Sequence, residues 1–136
     1  DKFEKTKKVL LTKEYVRWVL TGEHATDMAD ASGTLLFDVR NRCWHTGLMS
    51  LLGVDPDLMP RAFEGPEITG TLLPDIAALT GLPPGIPVVA GGGDQAAGGV
   101  GCGIVRSGIV SSSLGTSGVV FAQPTSSQSR ARVQPT

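Results

Sequence analysis

Residues 88–103 read VVAGGGDQAAGGVGCG, a short apolar run followed by seven glycines around a single carboxylate, Asp94. Glycine weakens helices and strands alike, so this density marks a place where backbone must turn sharply or approach something closely. Two loops of this kind bind phosphate, and neither fits. Gly91, Gly93 and Ala96 match the G-x-G-x-x-A spacing of a dinucleotide fold. That fold requires an acid about 20 residues further on for the ribose hydroxyls, and no acid follows Asp94. Asp94 would also occupy the helix N-terminus that the pyrophosphate needs. A Walker A loop fails because no lysine follows the glycines.

Two readings of Asp94 stand. In one, the glycines let a helix pack on a sheet and Asp94 caps it, a contribution of about 1 kcal/mol. In the other, Asp94 is a general base. A helix N-terminus favours negative charge, flanking glycines leave room for a substrate, and a carboxylate can take the proton of a hydroxyl attacking phosphorus. That chemistry needs phosphate contacts elsewhere. The segment SLGTSG at residues 113–118 supplies backbone N–H groups and hydroxyls from Gly115, Thr116 and Ser117, or it is an ordinary hairpin turn.

Composition narrows the class. A chain of 136 residues with 40% apolar content suits one modest globular core. There is no run of 18 apolar residues and no secretory leader in DKFEKTKKVLL, and the net charge of −1 gives no general attraction to nucleic acid. Cys43 and Cys102 match no metal spacing and read as free thiols of a reducing compartment, which places the chain in the cytoplasm. His24 and His45 lack a second ligand at a useful spacing, so no metal site is expected on them.

Along the chain, apolar residues between Leu10 and Leu20 predict a helix at about 13–21, with Thr12 as N-cap and Gly22 as its stop. Thr26 or Asp27 is placed to cap a short helix, after which Leu35, Leu36 and Phe37 enter the core. NRCWHTGLMSLLG reads as a helix ending before Gly53, with Asp55-Pro56 turning the chain. Glu67–Thr71 and Ile86–Ala90 read as strands, and Pro74 opens a helix closed by Gly81. Ala96–Val100 reads as a helix whose glycines admit a neighbouring backbone. GIVSSSLGTSGVVFAQ reads as two strands joined through residues 114–118. Trp18, Trp44 and Phe37 are expected in the core. Asp27 and Asp30 read as capping groups or as liners of a cleft, and Lys2, Lys5, Lys7 and Lys8 as a solvated helix face. The class is α/β, with helices in the first half and strands in the second.

The ordered pair GGGDQAAGGVGCG and SSSLGTSGVVFA resembles the end of the N-terminal domain of the FGGY carbohydrate kinases, and LLTKEYVRWVLTGEHATDMADASGTLLFDV is similar to the part before it. The likeness runs from Lys2 to Phe121 and is nearest to the xylulokinase members. It implies part of an actin-like ATPase (ribonuclease-H-like) domain, with residues 1–123 belonging to it and 124–136 a polar tail or linker. It implies an enzyme that uses ATP and Mg²⁺ to phosphorylate a ketopentose, D-xylulose to xylulose 5-phosphate, and that can pair as a homodimer. Other FGGY substrates (glycerol, gluconate, ribulose) and a non-catalytic sensing module of the same fold are the alternatives. By resemblance Asp94 is the catalytic base, Gln95 touches the sugar, and Gly115, Thr116 and Ser117 face the ATP phosphates. The family's D-x-G-T-like phosphate hairpin and adenosine-binding domain have no counterpart here, so the resemblance implies a central piece that is inactive alone.

Overall fold

The computed structural model describes residues 3–115 and 118–122, and the chain divides into two compact units, residues 1–93 and 94–136. Among the described residues no helix is long and apolar enough to cross a membrane.

The first unit begins with a 3₁₀ turn at Phe3–Lys5 and then α1 at Thr12–Thr21. Leu11 stands before its first turn in extended conformation without a side-chain cap, and Thr12 is already helical, so the predicted Thr12 cap is not made. The stop is as expected. Gly22 takes φ 76°, which L side chains disfavour, and its N–H donates to the Trp18 carbonyl at 2.6 Å. Next come β1 (Ala25–Asp27), α2 (Met28–Gly33), β2 (Phe37–Asp38), β3 (Cys43–Trp44) and α3 (Thr46–Leu51). They are followed by β4 (Arg61–Phe63), β5 (Ile68–Thr71), α4 (Pro74–Thr80) and β6 (Pro87–Val89). β1 pairs in parallel with β4, β2 pairs antiparallel with β3, and β5 pairs antiparallel with β6 across an irregularity between Ile68 and Gly70. Ala25, Ala31, Phe37, Met49, Met59, Leu72, Ala77 and Ala90 form the apolar core of this unit.

In the second unit α5 covers Asp94–Gly101, and β7 (Val110–Leu114) forms an antiparallel hairpin with β8 (Gly118–Ala122). The glycines of α5 have one clear cause. A Cβ on Gly99 would lie 2.6 Å from Cε1 of Phe121, so the helix makes room for an aromatic ring of β8, not for the backbone that was expected.

Several expectations are corrected. Strands occur throughout, four of them before residue 64, so helices and strands do not divide between the halves. Residues 41–45 are not helical: β3 and a turn occupy them, and His45 caps α3 by accepting the Leu48 N–H on Nδ1 at 3.1 Å. The turn into β3 is nucleated by Asp38, whose Oδ1 accepts the N–H groups of Arg40 and Asn41 at 3.0 Å. Phe37 meets Trp44 edge-on across the resulting pair, at 5.3 Å between ring centres. Leu35 does not enter the core. It takes φ 63° in the turn after α2 and is 82% exposed. The lysine cluster is not a helix face: only Lys5 lies in the 3₁₀ turn, and Lys8 Nζ donates to the Asp57 carbonyl at 2.6 Å. Lys2 lies outside the described residues.

The largest departure concerns α1. Its buried residues are Glu14, Arg17 and Thr21, while Tyr15, Val16, Trp18 and Val19 are exposed. The polar stripe of the helix faces inward. Trp18, expected in the core, instead stacks on His24 at 5.7 Å.

Candidate functional site

The approach to Asp94 is built by β6 and the glycines after it. Ala90 is buried, and its N–H donates to the Glu67 carbonyl at 2.9 Å. Gly91, at φ 80°, donates to the Gly65 carbonyl at 2.9 Å. A side chain on Gly65 would meet the Gly91 oxygen at 2.7 Å, so both glycines are required where these two backbones cross. The chain then enters α5 at Asp94. Asp94 and Gln95 are both exposed, and the Gln95 N–H lies 2.7 Å from Asp94 Oδ1. Asp94 therefore opens the helix with its carboxylate solvent-accessible. Gly115 sits exposed in the bend after β7, and Thr116 and Ser117, the other two expected phosphate contacts, lie outside the described residues.

A second polar cluster lies wholly inside the first unit, and Lys13 is its centre. Its Nζ stands 2.7 Å from Asp27 Oδ2, 3.3 Å from Asp30 Oδ2 and 3.3 Å from Glu14 Oε1. It also donates to the Ala90 carbonyl at 3.2 Å. Glu14 is 1% exposed, and its Oε1 accepts the Thr26 hydroxyl at 2.9 Å. Of the two caps expected, Thr26 or Asp27, it is Asp27 that serves: Oδ1 accepts the N–H groups of Ala29 at 2.8 Å and Asp30 at 3.0 Å. Arg17, 4% exposed, donates through Nη1 to the Thr69 hydroxyl at 2.9 Å, while its Nε and Nη2 find no protein partner. Thr69 passes the bond on to the Val88 carbonyl at 3.2 Å, tying α1 to β5 and β6.

These contacts set the charge states. Burial pushes Asp27 upward, but Lys13 and the two backbone donors outweigh it and hold the carboxyl below its ordinary value. Asp30 moves the other way: burial raises its pKa, Lys13 opposes, and the Asp27 and Glu14 charges add to the rise. Burial works against the Lys13 charge too, yet Asp27, Glu14 and Asp30 together hold its pKa above the ordinary lysine value. For Arg17 burial wins and the pKa falls.

Glu14, Asp27 and Asp30 offer oxygens within 4.8 Å of one another, the spacing of a divalent-cation site. The Lys13 ammonium already lies in contact with all three, so the arrangement does not fit Mg²⁺ with Lys13 in place. Sequence reasoning reached Asp27 and Asp30 and missed Lys13, Glu14 and Arg17. Periodicity groups Glu14, Arg17 and Thr21 on one side of α1 but carries no signal that this polar side is the one covered.

Comparison with known proteins gives these features a family. The model of the FGGY family of carbohydrate kinases, N-terminal domain, matches residues 1–101 and so includes Asp94 and Gln95. The chain is 50% identical over 120 residues to a xylulose kinase of Escherichia coli (strain K12), covering 88% of this chain and 25% of that protein. It is 48% identical over 120 residues to a xylulose kinase of Klebsiella pneumoniae, with the same coverage. The crystal structure of a xyloylose kinase from Brucella ovis superposes with a TM-score of 0.82 at 42% identity, covering 88% of this chain and 25% of that one. The chain thus spans about a quarter of the length of the relatives it matches. The α/β class and the actin-like ATPase fold are as expected from the sequence. With the family model matched from the first residue to the end of α5, this chain belongs to the FGGY family of carbohydrate kinases.

Proposed function

We propose that this chain carries the catalytic carboxylate and one phosphate-facing hairpin of an ATP-dependent kinase that converts D-xylulose to xylulose 5-phosphate. The observation that carries the reading is the family match running through the glycine segment onto α5, where Asp94 opens the helix with an exposed carboxylate. Asp94 takes the proton of a sugar hydroxyl as that oxygen forms a bond to the γ-phosphorus, while the bond from phosphorus to the bridging oxygen breaks and ADP leaves. Gln95, the next residue, hydrogen-bonds the sugar. The Gly115 N–H and the Thr116 and Ser117 hydroxyls receive phosphate oxygens, so the acid and the phosphate contacts stand on separate segments and their charges do not conflict. D-xylulose is favoured as substrate by the identity to xylulose kinases. Mg²⁺ accompanying the nucleotide neutralises phosphate charge, and the Lys13-filled carboxylates are not its holders.

The test is Asp94→Asn in a full-length kinase carrying these 136 residues. The substitution keeps shape and helix-start hydrogen bonding, so sugar binding should persist while kcat falls by about 10² or more, the contribution of general-base help. Turnover near that of the unsubstituted enzyme would remove Asp94 from the mechanism.

A further inference from the structure

We infer that the first unit has a binding site for one structural water, which bridges Glu14 and Arg17 on the inward face of α1. The two residues are three positions apart on the helix, so their side chains leave the same face about one turn from each other. Both are almost wholly buried, at 1% and 4% exposure. Each is engaged at one end only. Glu14 Oε1 accepts the Thr26 hydroxyl at 2.9 Å and faces Lys13 Nζ at 3.3 Å. Arg17 Nη1 donates to the Thr69 hydroxyl at 2.9 Å. Glu14 Oε2 and the Nε and Nη2 of Arg17 are buried and have no hydrogen-bond partner among the described residues. The pair does not close on itself because its engaged ends are committed to different sheets. Thr26 belongs to β1, which pairs with β4, and Thr69 to β5, which pairs with β6.

The chemistry of these three atoms selects the ligand. It must accept from a guanidinium and donate to a carboxylate within about one helical turn. An anion would suit Arg17 and be repelled by Glu14, and a metal cation would suit Glu14 and be repelled by Arg17. An apolar group would leave all three atoms unpaired. Water is small and uncharged, and it both accepts and donates. Energetics favour it as well, since three buried polar atoms left unpaired cost more than ordering one water. The water also completes a hydrogen-bonded path through α1. It runs from Thr26 to Glu14, through the water to Arg17, and on to Thr69 and the Val88 carbonyl. Among the described residues no strand pairing joins the β1–β4 and β5–β6 sheets, so this path links them where their backbones do not.

The experiment is a high-resolution crystal structure of a full-length kinase carrying these 136 residues, without substitution, so that no variant need fold. A solvent peak is expected within about 2.7–3.2 Å of Glu14 Oε2 and also of Arg17 Nε or Nη2, as well ordered as the side chains around it. Three results would each overturn the inference: a direct Glu14–Arg17 ion pair with no peak between them, a protein group from elsewhere in the longer chain on these atoms, or a peak that touches only one of the two residues. An absent peak with the two side chains still apart would overturn it equally. None of these results bears on Asp94, so the reading of that residue as the base stands or falls separately.

Discussion

At Asp27 one carboxylate oxygen accepts two helix N–H groups while the other faces Lys13 at 2.7 Å, so a single side chain both starts α2 and ties it to α1. The pH dependence follows from the direction of its shift. A carboxyl held below its ordinary value binds fewer protons folded than unfolded, so its contribution is complete above the unfolded pKa and is lost as pH falls through the lowered folded pKa. Asp30 has the opposite sign: its raised pKa means that its charge costs stability at neutral pH, and the cost disappears as pH falls through the raised value. Asp27→Asn keeps a good N-cap and removes the charge. It should cost about 1–3 kcal/mol at neutral pH, and the deficit should begin to shrink below about pH 4, where the carboxyl of the unfolded chain takes up its proton, and disappear once pH falls through the lowered folded value. Thermal unfolding of both chains from pH 2 to 7 measures this, and parallel curves would refute it. A cap at Thr26 or Asp27 was legible, since both residue types favour the position before a short helical run. The partner was not, because Lys13 is 14 positions away on a helix whose inward face is polar.

Element boundaries set by backbone chemistry were readable in advance. Gly22 and Gly81 both close helices in the left-handed conformation, and Pro74 opens α4, because few residues other than glycine and proline satisfy those positions. The β2–β3 pair was missed. Strands of two residues leave no alternation to detect, and what holds them is the Asp38 turn and the Phe37–Trp44 contact. The glycines of α5 were noticed, but only the fold shows that one of them accommodates Phe121. From that packing, Gly99→Ala should destabilise the second unit by about 1–3 kcal/mol through overpacking. Phe121→Leu, which removes the ring atoms nearest that position, should relieve most of the loss when the two are combined. Hydrogen exchange of the β7–β8 amides in the single and double variants reports it, and purely additive losses would count against the contact.

At the scale of the molecule, phosphoryl transfer depends on several groups held together, and the proposed base and hairpin are only some of them. We expect the 136 residues alone to show no xylulose-dependent ADP formation; turnover of about 1–100 s⁻¹, the range of kinases, would contradict this. The apolar face of α1 is also exposed, and among the described residues every sheet has only two strands. Concentration-dependent association in sedimentation velocity is therefore expected, and a monomer at all concentrations would show those surfaces to be inert. The family was reachable from the sequence because the glycine segment around Asp94 and the SLGTSG segment are contiguous stretches whose order resembles the FGGY kinases, whereas the residues by themselves left Asp94 open between a helix cap and a base. The inward polar face of α1 was not reachable. Periodicity reports that Tyr15, Val16, Trp18 and Val19 share a side of the helix, but not which side the rest of the chain covers. That choice is made by partners distant in sequence: Asp27, Thr69 and Ala90 take the hydrogen bonds and charges of Lys13 and Arg17, and no local pattern encodes their arrival.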